Sequence, residues 1–169
     1  MTPEGVSIRH PDKLYIGGEW VEPKSGKQIE VVNPNSEEVI ARVAEAGKDD
    51  MDRAVAAARK AFDEGPWPNT PPAERGRLLK QLAERLKARS DELARAWTAQ
   101  IGGLPGMAGG VVMNGNITLD SIADLGESFQ WVEKKKGQMI DTAIIAREPV
   151  GVVAAIAPWN APYMIMISK

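Results

Sequence analysis

Few side chains in this sequence could carry covalent or acid–base chemistry. It has no cysteine and one histidine, His10. That excludes disulfides, thiolate metal ligands and a cysteine nucleophile within these residues. A lone His10 near the N-terminus also argues against a zinc site or a Ser-His-Asp triad. The glycine-rich stretch 102–110 invites a phosphate-binding reading, but it has neither the G-x-x-x-x-G-K-[ST] nor the G-x-G-x-x-G spacing, so it reads as a loop. What remains is Pro158-Trp159-Asn160, an amide placed where a long apolar run breaks off. Taken alone, Asn160 reads as the cap of a following helix and Trp159 as a packing residue.

The elements that must position this turn begin with short strands. Lys13-Leu14-Tyr15-Ile16 and Glu19-Trp20-Val21 flank Gly17-Gly18, a two-residue loop suited to a tight hairpin. Ile29 to Val32, the turn Asn33-Pro34-Asn35-Ser36, and Val39 to Val43 predict a second strand pair. Helices follow. After Asp49-Asp50, suitable as a cap, Met51, Ala54, Val55, Ala58, Ala61 and Phe62 recur at helical spacing until Gly65-Pro66. Pro71-Pro72 opens a second helix in which Leu78, Leu79, Leu82 and Leu86 make one apolar stripe of ordinary core. Ser90-Asp91 caps a third, with Leu93, Trp97 and Ile101 on one face and Gly102-Gly103 at its end. Ile122, Leu125, Phe129 and Val132 predict a fourth over 117–132, closed by Lys134-Lys135-Lys136 at the negative end of its dipole.

The last third changes character. Gln138 to Arg147 reads as an exposed strand or hairpin. Val150 to Ala157 is apolar on both faces, as in a central parallel strand covered by helices, although periodicity alone leaves a buried helix open. From Ala161 a helix begins with Pro162 in its first turn. A parallel strand followed by a helix calls for a second strand to pair with it, so Lys169 reads as a truncation point.

Composition fits an ordinary globular chain, at 43% hydrophobic and 26% charged residues, and 169 residues suffice for one domain or most of one. A net charge of −2 gives no reason to expect nucleic acid or a membrane surface as a partner. No apolar stretch has the length of a membrane span, and a cytoplasmic location is expected.

Taken in order, the pieces resemble the aldehyde dehydrogenase family over about Leu14 to Lys169. They are Tyr15-Ile16-Gly17-Gly18-Glu19-Trp20, Val32-Asn33-Pro34 with Glu38-Val39-Ile40, Asp52 to Phe62 with Pro66-Trp67, and Arg75-Gly76-Arg77-Leu78-Leu79. The most specific is the run from Glu148 to Pro162, Glu-Pro-Val-Gly-Val-Val-Ala-Ala-Ile-Ala-Pro-Trp-Asn-Ala-Pro. The resemblance implies an α/β fold, the N-terminal portion of that family's structure. Residues 1–137 would be N-terminal β-hairpins and helices of the cofactor-binding domain, 138–148 an oligomerisation strand or hairpin, and 149–169 the first strand and turn of a Rossmann-like unit, cut short.

It also implies chemistry for the intact protein: oxidation of an aldehyde to a carboxylic acid through a cysteine thioester, with hydride passing to NAD or NADP. Asn160 would give an amide N–H to the oxyanion. Ile156, Ala157, Pro158 and Trp159 would line the nicotinamide end of the cofactor cleft, and Ala161, Met164, Ile165 and Ser168 the substrate tunnel. Several relatives carry aromatic residues at the positions of Ala161 and Ser168, so the tunnel here is expected to be roomier. A homo-oligomer, dimer or tetramer, is the expected assembly. The family's cysteine nucleophile, general-base glutamate and cofactor-binding lysine match nothing in these residues, so the chain alone is expected to be inactive. Gly102-Gly103-Leu104-Pro105 departs from the family's Thr-Gly-Lys-Pro-like loop. The rival reading is a non-catalytic binding or assembly module derived from that fold.

Overall fold

The computed structural model describes residues 3–169. Strands β1 (Leu14–Ile16) and β2 (Glu19–Val21) pair antiparallel. The turn between them needs positive φ at both central positions, and Gly17 and Gly18 supply +64° and +90°. Trp20 packs across this hairpin against Tyr15 and back onto His10, at ring-centroid distances of 5.1 and 4.7 Å. The second expected pair also forms, as β3 (Gln28–Val32) against β4 (Val39–Ala44), with a bulge between Val31 and Val32. In its connecting turn Asn33 Oδ1 accepts the Asn35 amide at 2.9 Å, an Asx turn of the kind its composition predicts.

Helix α1 spans Lys48–Glu64. Its N-cap is Gly47, and Asp50 acts from inside the first turn rather than as the cap itself. Only 1% exposed, the Asp50 carboxylate accepts the amides of Gly47 and Lys24, each at 3.1 Å, and pairs with Arg53 at 3.2 Å. The Gly47 amide above all, then the Lys24 amide and the Arg53 charge, hold its pKa below the ordinary value against the opposing effect of burial. One buried carboxylate thus ties the chain between β2 and β3 to the start of α1.

A short 3-10 turn (Trp67–Asn69) leads to α2 (Pro72–Lys87), α3 (Ser90–Ile101) and α4 (Pro105–Ser128). As expected, Pro72 opens α2, and α3 stops at Gly102, which takes φ +72° and donates its amide to Thr98 O at 2.9 Å. The glycine-rich stretch is where the reading fails. Only 102–104 form a connection; 105–110 belong to the first half of α4, and the expected helix over 117–132 is its second half, ending four residues early.

Tertiary packing overrides propensity here. Ala108, Val112, Gly115, Asn116, Leu119 and Ala123 recur at helical spacing along α4 and are buried, so one continuous face lies against α2 and α3. Glycines let the backbones touch. A β-carbon on Gly126 would sit 2.5 Å from Pro72 O and 3.2 Å from Gly76 Cα, and one on Gly76 would collide with Ala123 O. The leucine stripe of α2 is accordingly divided. Gly76 and Ala83 are buried with Leu79 and Leu86 partly covered beside them, while Leu78 and Leu82 are exposed. Ion pairs Lys80–Asp124 (2.8 Å) and Lys87–Asp120 (2.9 Å) close the margin of the α2–α4 contact.

After α4, strand β5 (Val132–Lys135) pairs antiparallel with β6 (Ala143–Ala146). Lys134 and Lys135 therefore lie in a strand and not at a helix end, because α4 stops at Ser128 and Glu133 draws in Lys135 and Arg147, at 2.7 and 2.8 Å. The expected 138–148 element is the second half of this hairpin. All three sheets among the described residues are two-stranded and antiparallel. Residues 150–157 form neither the expected parallel strand nor a helix; they run unpaired and mostly exposed to the last helix, α5 (Pro162–Ile167). Among the described residues no helix is long and apolar enough to cross a membrane.

Two measurements check this account. Gly76→Val should destabilise the chain by about 3 kcal/mol in urea unfolding, because the helices must separate. Gly106→Ala, with open space around the added methyl, should instead stabilise it by roughly 0.5–1 kcal/mol. The second measurement concerns Glu92, whose carboxylate is held by Arg89 at 2.8 Å and accepts the Ser7 amide at 3.0 Å, which lowers its pKa to about 2. A depressed carboxylate stabilises the fold above its unfolded pKa and stops doing so as pH falls through the folded one. The Ser7 amide resonance should therefore hold steady through the ordinary glutamate range and shift only near pH 2. A shift centred in the ordinary range would mean that Ser7 is held by something else.

Candidate functional site

The sequence-predicted residues fall on one short stretch at the end of the unpaired run. Ile156 is 80% and Trp159 59% exposed, and Ala157, Pro158 and Asn160 are exposed with them. Trp159 to Ala161 form a bend, and α5 follows with Pro162 at its first position. The N-cap of α5 is Ala161, and no side chain caps the helix. Asn160 therefore does not do what an asparagine before a helix does by default. Its amide makes no hydrogen bond with any described residue. Trp159, likewise, is only partly covered by the described residues.

Ala161, Met164 and Ile165 are half-buried and Ser168 is exposed, its hydroxyl donating to Ile165 O at 2.8 Å. Helical periodicity puts these four on one side of α5. The other side carries Tyr163, which the sequence reading passed over. Its ring lies over Gly115, where a β-carbon would come within 2.5 Å of it, and its hydroxyl donates to Asn116 Oδ1 at 2.5 Å. Asn116 in turn donates to Ser90 Oγ at 3.2 Å. Burial pushes the Tyr163 phenol above its ordinary pKa. A polar residue at a helix position that should face the core, as Asn116 does in α4, was the signal available for this network.

The donor chemistry of 156–160 is neutral and apolar. It can cover a flat ring or stabilise a developing oxyanion without bringing a charge. It contains no cation and no nest of glycine amides for phosphates.

Comparison with known proteins shows the family of the chain. Residues 20–169 match the family model described as the aldehyde dehydrogenase family. An aldehyde dehydrogenase of Alternaria alternata is 37% identical over 97% of this chain and 33% of its own length. Among solved structures, the Mycobacterium tuberculosis aldehyde dehydrogenase complexed with NAD+ superposes with a TM-score of 0.87 at 38% identity, covering 94% of this chain and 33% of that one. Betaine aldehyde dehydrogenase from Staphylococcus aureus, in complex with NAD+, gives 0.88 at 32% identity, covering 94% and 32%. The chain belongs to the aldehyde dehydrogenase family. It spans about a third of the length of the relatives it matches, consistent with an N-terminal part of such an enzyme.

The free amide of Asn160 yields a prediction for this chain by itself. Asn160→Ala should leave its unfolding free energy unchanged within about 0.5 kcal/mol, whereas removing a genuine cap costs about 1 kcal/mol. Equilibrium denaturation of the two proteins separates the cases.

Proposed function

We propose that Asn160 is the oxyanion donor of an aldehyde dehydrogenase of which this chain is the N-terminal part. The observation that carries the proposal is that an amide in a bend before a helix is left uncommitted, beside an exposed apolar strip, where capping would otherwise use it. In the intact enzyme a cysteine supplied from outside these residues would attack the substrate carbonyl. The carbonyl oxygen then gains negative charge, and a preplaced neutral N–H stabilises it at no cost in reorganisation. An aspartate at this position would repel the same charge. With a bound nicotinamide as hydride acceptor the adduct would become a thioester, and hydrolysis would release the carboxylic acid.

The residues present fit one end of a dinucleotide. Ile156, Ala157, Pro158 and Trp159 would hold the nicotinamide ring by apolar and backbone contact, while the pyrophosphate would have to be held by other parts of the protein. When bound, NAD or NADP supplies the hydride acceptor. The chain's own part is to wall the ring with Ile156 and Trp159, to exclude water with the same side chains, and to aim Asn160. On α5, Ala161, Met164, Ile165 and Ser168 would line the substrate tunnel, with Ala161 and Ser168 leaving room for a bulky aldehyde. The β5–β6 hairpin is proposed as an oligomerisation arm, supported by exposed Val132, Ile144 and Ile145 on strands with unpaired outer edges.

In the full-length enzyme Asn160→Ala should lower kcat by about 10²- to 10³-fold with little change in the KM for NAD(P)+, measured by NAD(P)H absorbance. Retained activity would remove Asn160 from the chemistry. The 169-residue chain itself, having no cysteine, should produce no NAD(P)H from any aldehyde; measurable turnover by a pure sample would overturn the assignment of the nucleophile to a region outside it.

A further inference from the structure

Helix α5 is held on α4 by partial burial of Pro162 to Ile165 and Ile167 and by one polar anchor. It is six residues long and lacks a side-chain cap, and helices this short do not persist without packing. The run before it is unpaired from 150 to 157. What fixes the bend containing Asn160 is therefore the attachment three residues further on. There the Tyr163 ring fills the space over Gly115, and its hydroxyl reaches Asn116, itself 6% exposed and bonded to Ser90 on α3. A weaker contact, Asn114 Nδ2 to Met164 Sδ at 3.4 Å, lies beside it. Two consecutive hydrogen bonds thus join α3, α4 and α5.

We infer that Tyr163 and Asn116 are positioning residues for Asn160: by fixing the azimuth of α5 on α4 they set the direction of the Asn160 amide. The inference rests on the oxyanion reading of Asn160. Neither residue touches the reacting atoms. Helical periodicity turns Tyr163 away from Ala161, Met164, Ile165 and Ser168, so its effect must pass through the backbone of the bend. The buried amide makes the arrangement unforgiving. Without the phenol, Asn116 Oδ1 loses its donor and gains by rotating or admitting water, and either response lets α5 turn.

The test uses the full-length enzyme that contains these residues. Tyr163→Phe keeps the ring and removes the bond, and kcat should fall roughly tenfold, since small misplacements of a catalytic group carry losses of this order or more. The KM for NAD(P)+ should stay within about twofold, as it would for a change confined to the reacting oxygen. The deciding measurement is the double variant. Added to Asn160→Ala, Tyr163→Phe should cause no further loss, because it acts only through the amide already removed. Gly115→Ala, which displaces the ring without altering either hydrogen-bonding residue, should behave in the same way and replaces Tyr163→Phe if that variant does not fold. Full activity in Tyr163→Phe overturns the inference, and so does a loss that multiplies with that of Asn160→Ala. If Asn160→Ala alone is silent, the oxyanion reading itself has failed; if it is costly while Tyr163→Phe is silent, only the positioning role has.

Discussion

Helix α4 can lie against α2 only where neither presents a β-carbon. At Gly76 and Gly126 the helices meet backbone to backbone, with Ala123 O and Pro72 O occupying the space that side chains would need. This contact sets the separation and angle of the two helices, and the remaining elements take their places from it. The flanks of the crossing are closed by Ala83, Leu119 and Ala123, and its margin by Lys80 and Lys87 reaching across to Asp124 and Asp120. With α4 held, its next buried residues, Val112, Gly115 and Asn116, become the platform on which α3 and α5 pack. Helical propensity would not have placed five glycines in this helix. Close approach uses two of them, Gly115 and Gly126, and the cost of the others is carried by burial of the opposite face.

Buried polar groups do the stitching elsewhere. Asp50 is the clearest case, since a carboxylate this enclosed must be fully hydrogen-bonded. It is, through two amides from separate parts of the chain and one guanidinium. Asn116 plays the corresponding part in α4, joining Ser90 to Tyr163. Both tie a segment of little intrinsic stability to a stable helix: the connection after β2 in one case, α5 in the other. The pattern explains how short strands and a six-residue helix hold fixed positions around a helical core.

The candidate site lies where this stitching ends. Asn160 is uncommitted because the bend places it beyond the cap position, and α5 begins from Ala161 and Pro162 without help from a side chain. Apolar Val150, Val153 and Ile156 are exposed beside it, at 89, 58 and 80%. Among the described residues nothing pairs with this segment, and its apolar side chains stay uncovered.

Local chemistry was legible in the residues themselves. Gly17-Gly18 dictates a hairpin, Asn33 an Asx turn, Pro72 and Gly102 the ends of helices, because each depends on the φ range or side-chain reach of one residue. The order of these signals, with the Glu148–Pro162 run, was also enough to place the chain in its family. What the residues could not disclose was decided at a distance. Gly106 to Gly115 is helical because α2 and α3 reward one face of it, Lys134 and Lys135 lie in a strand because Glu133 and Arg147 meet there, and Leu78 and Leu82 are left in solvent because Gly76 directs the contact. Nor does any window of sequence join Ser90, Asn116 and Tyr163. A turn is a property of neighbours along the chain, whereas a close helix crossing or a buried hydrogen-bond chain exists only once folding has brought distant residues to within a few ångströms.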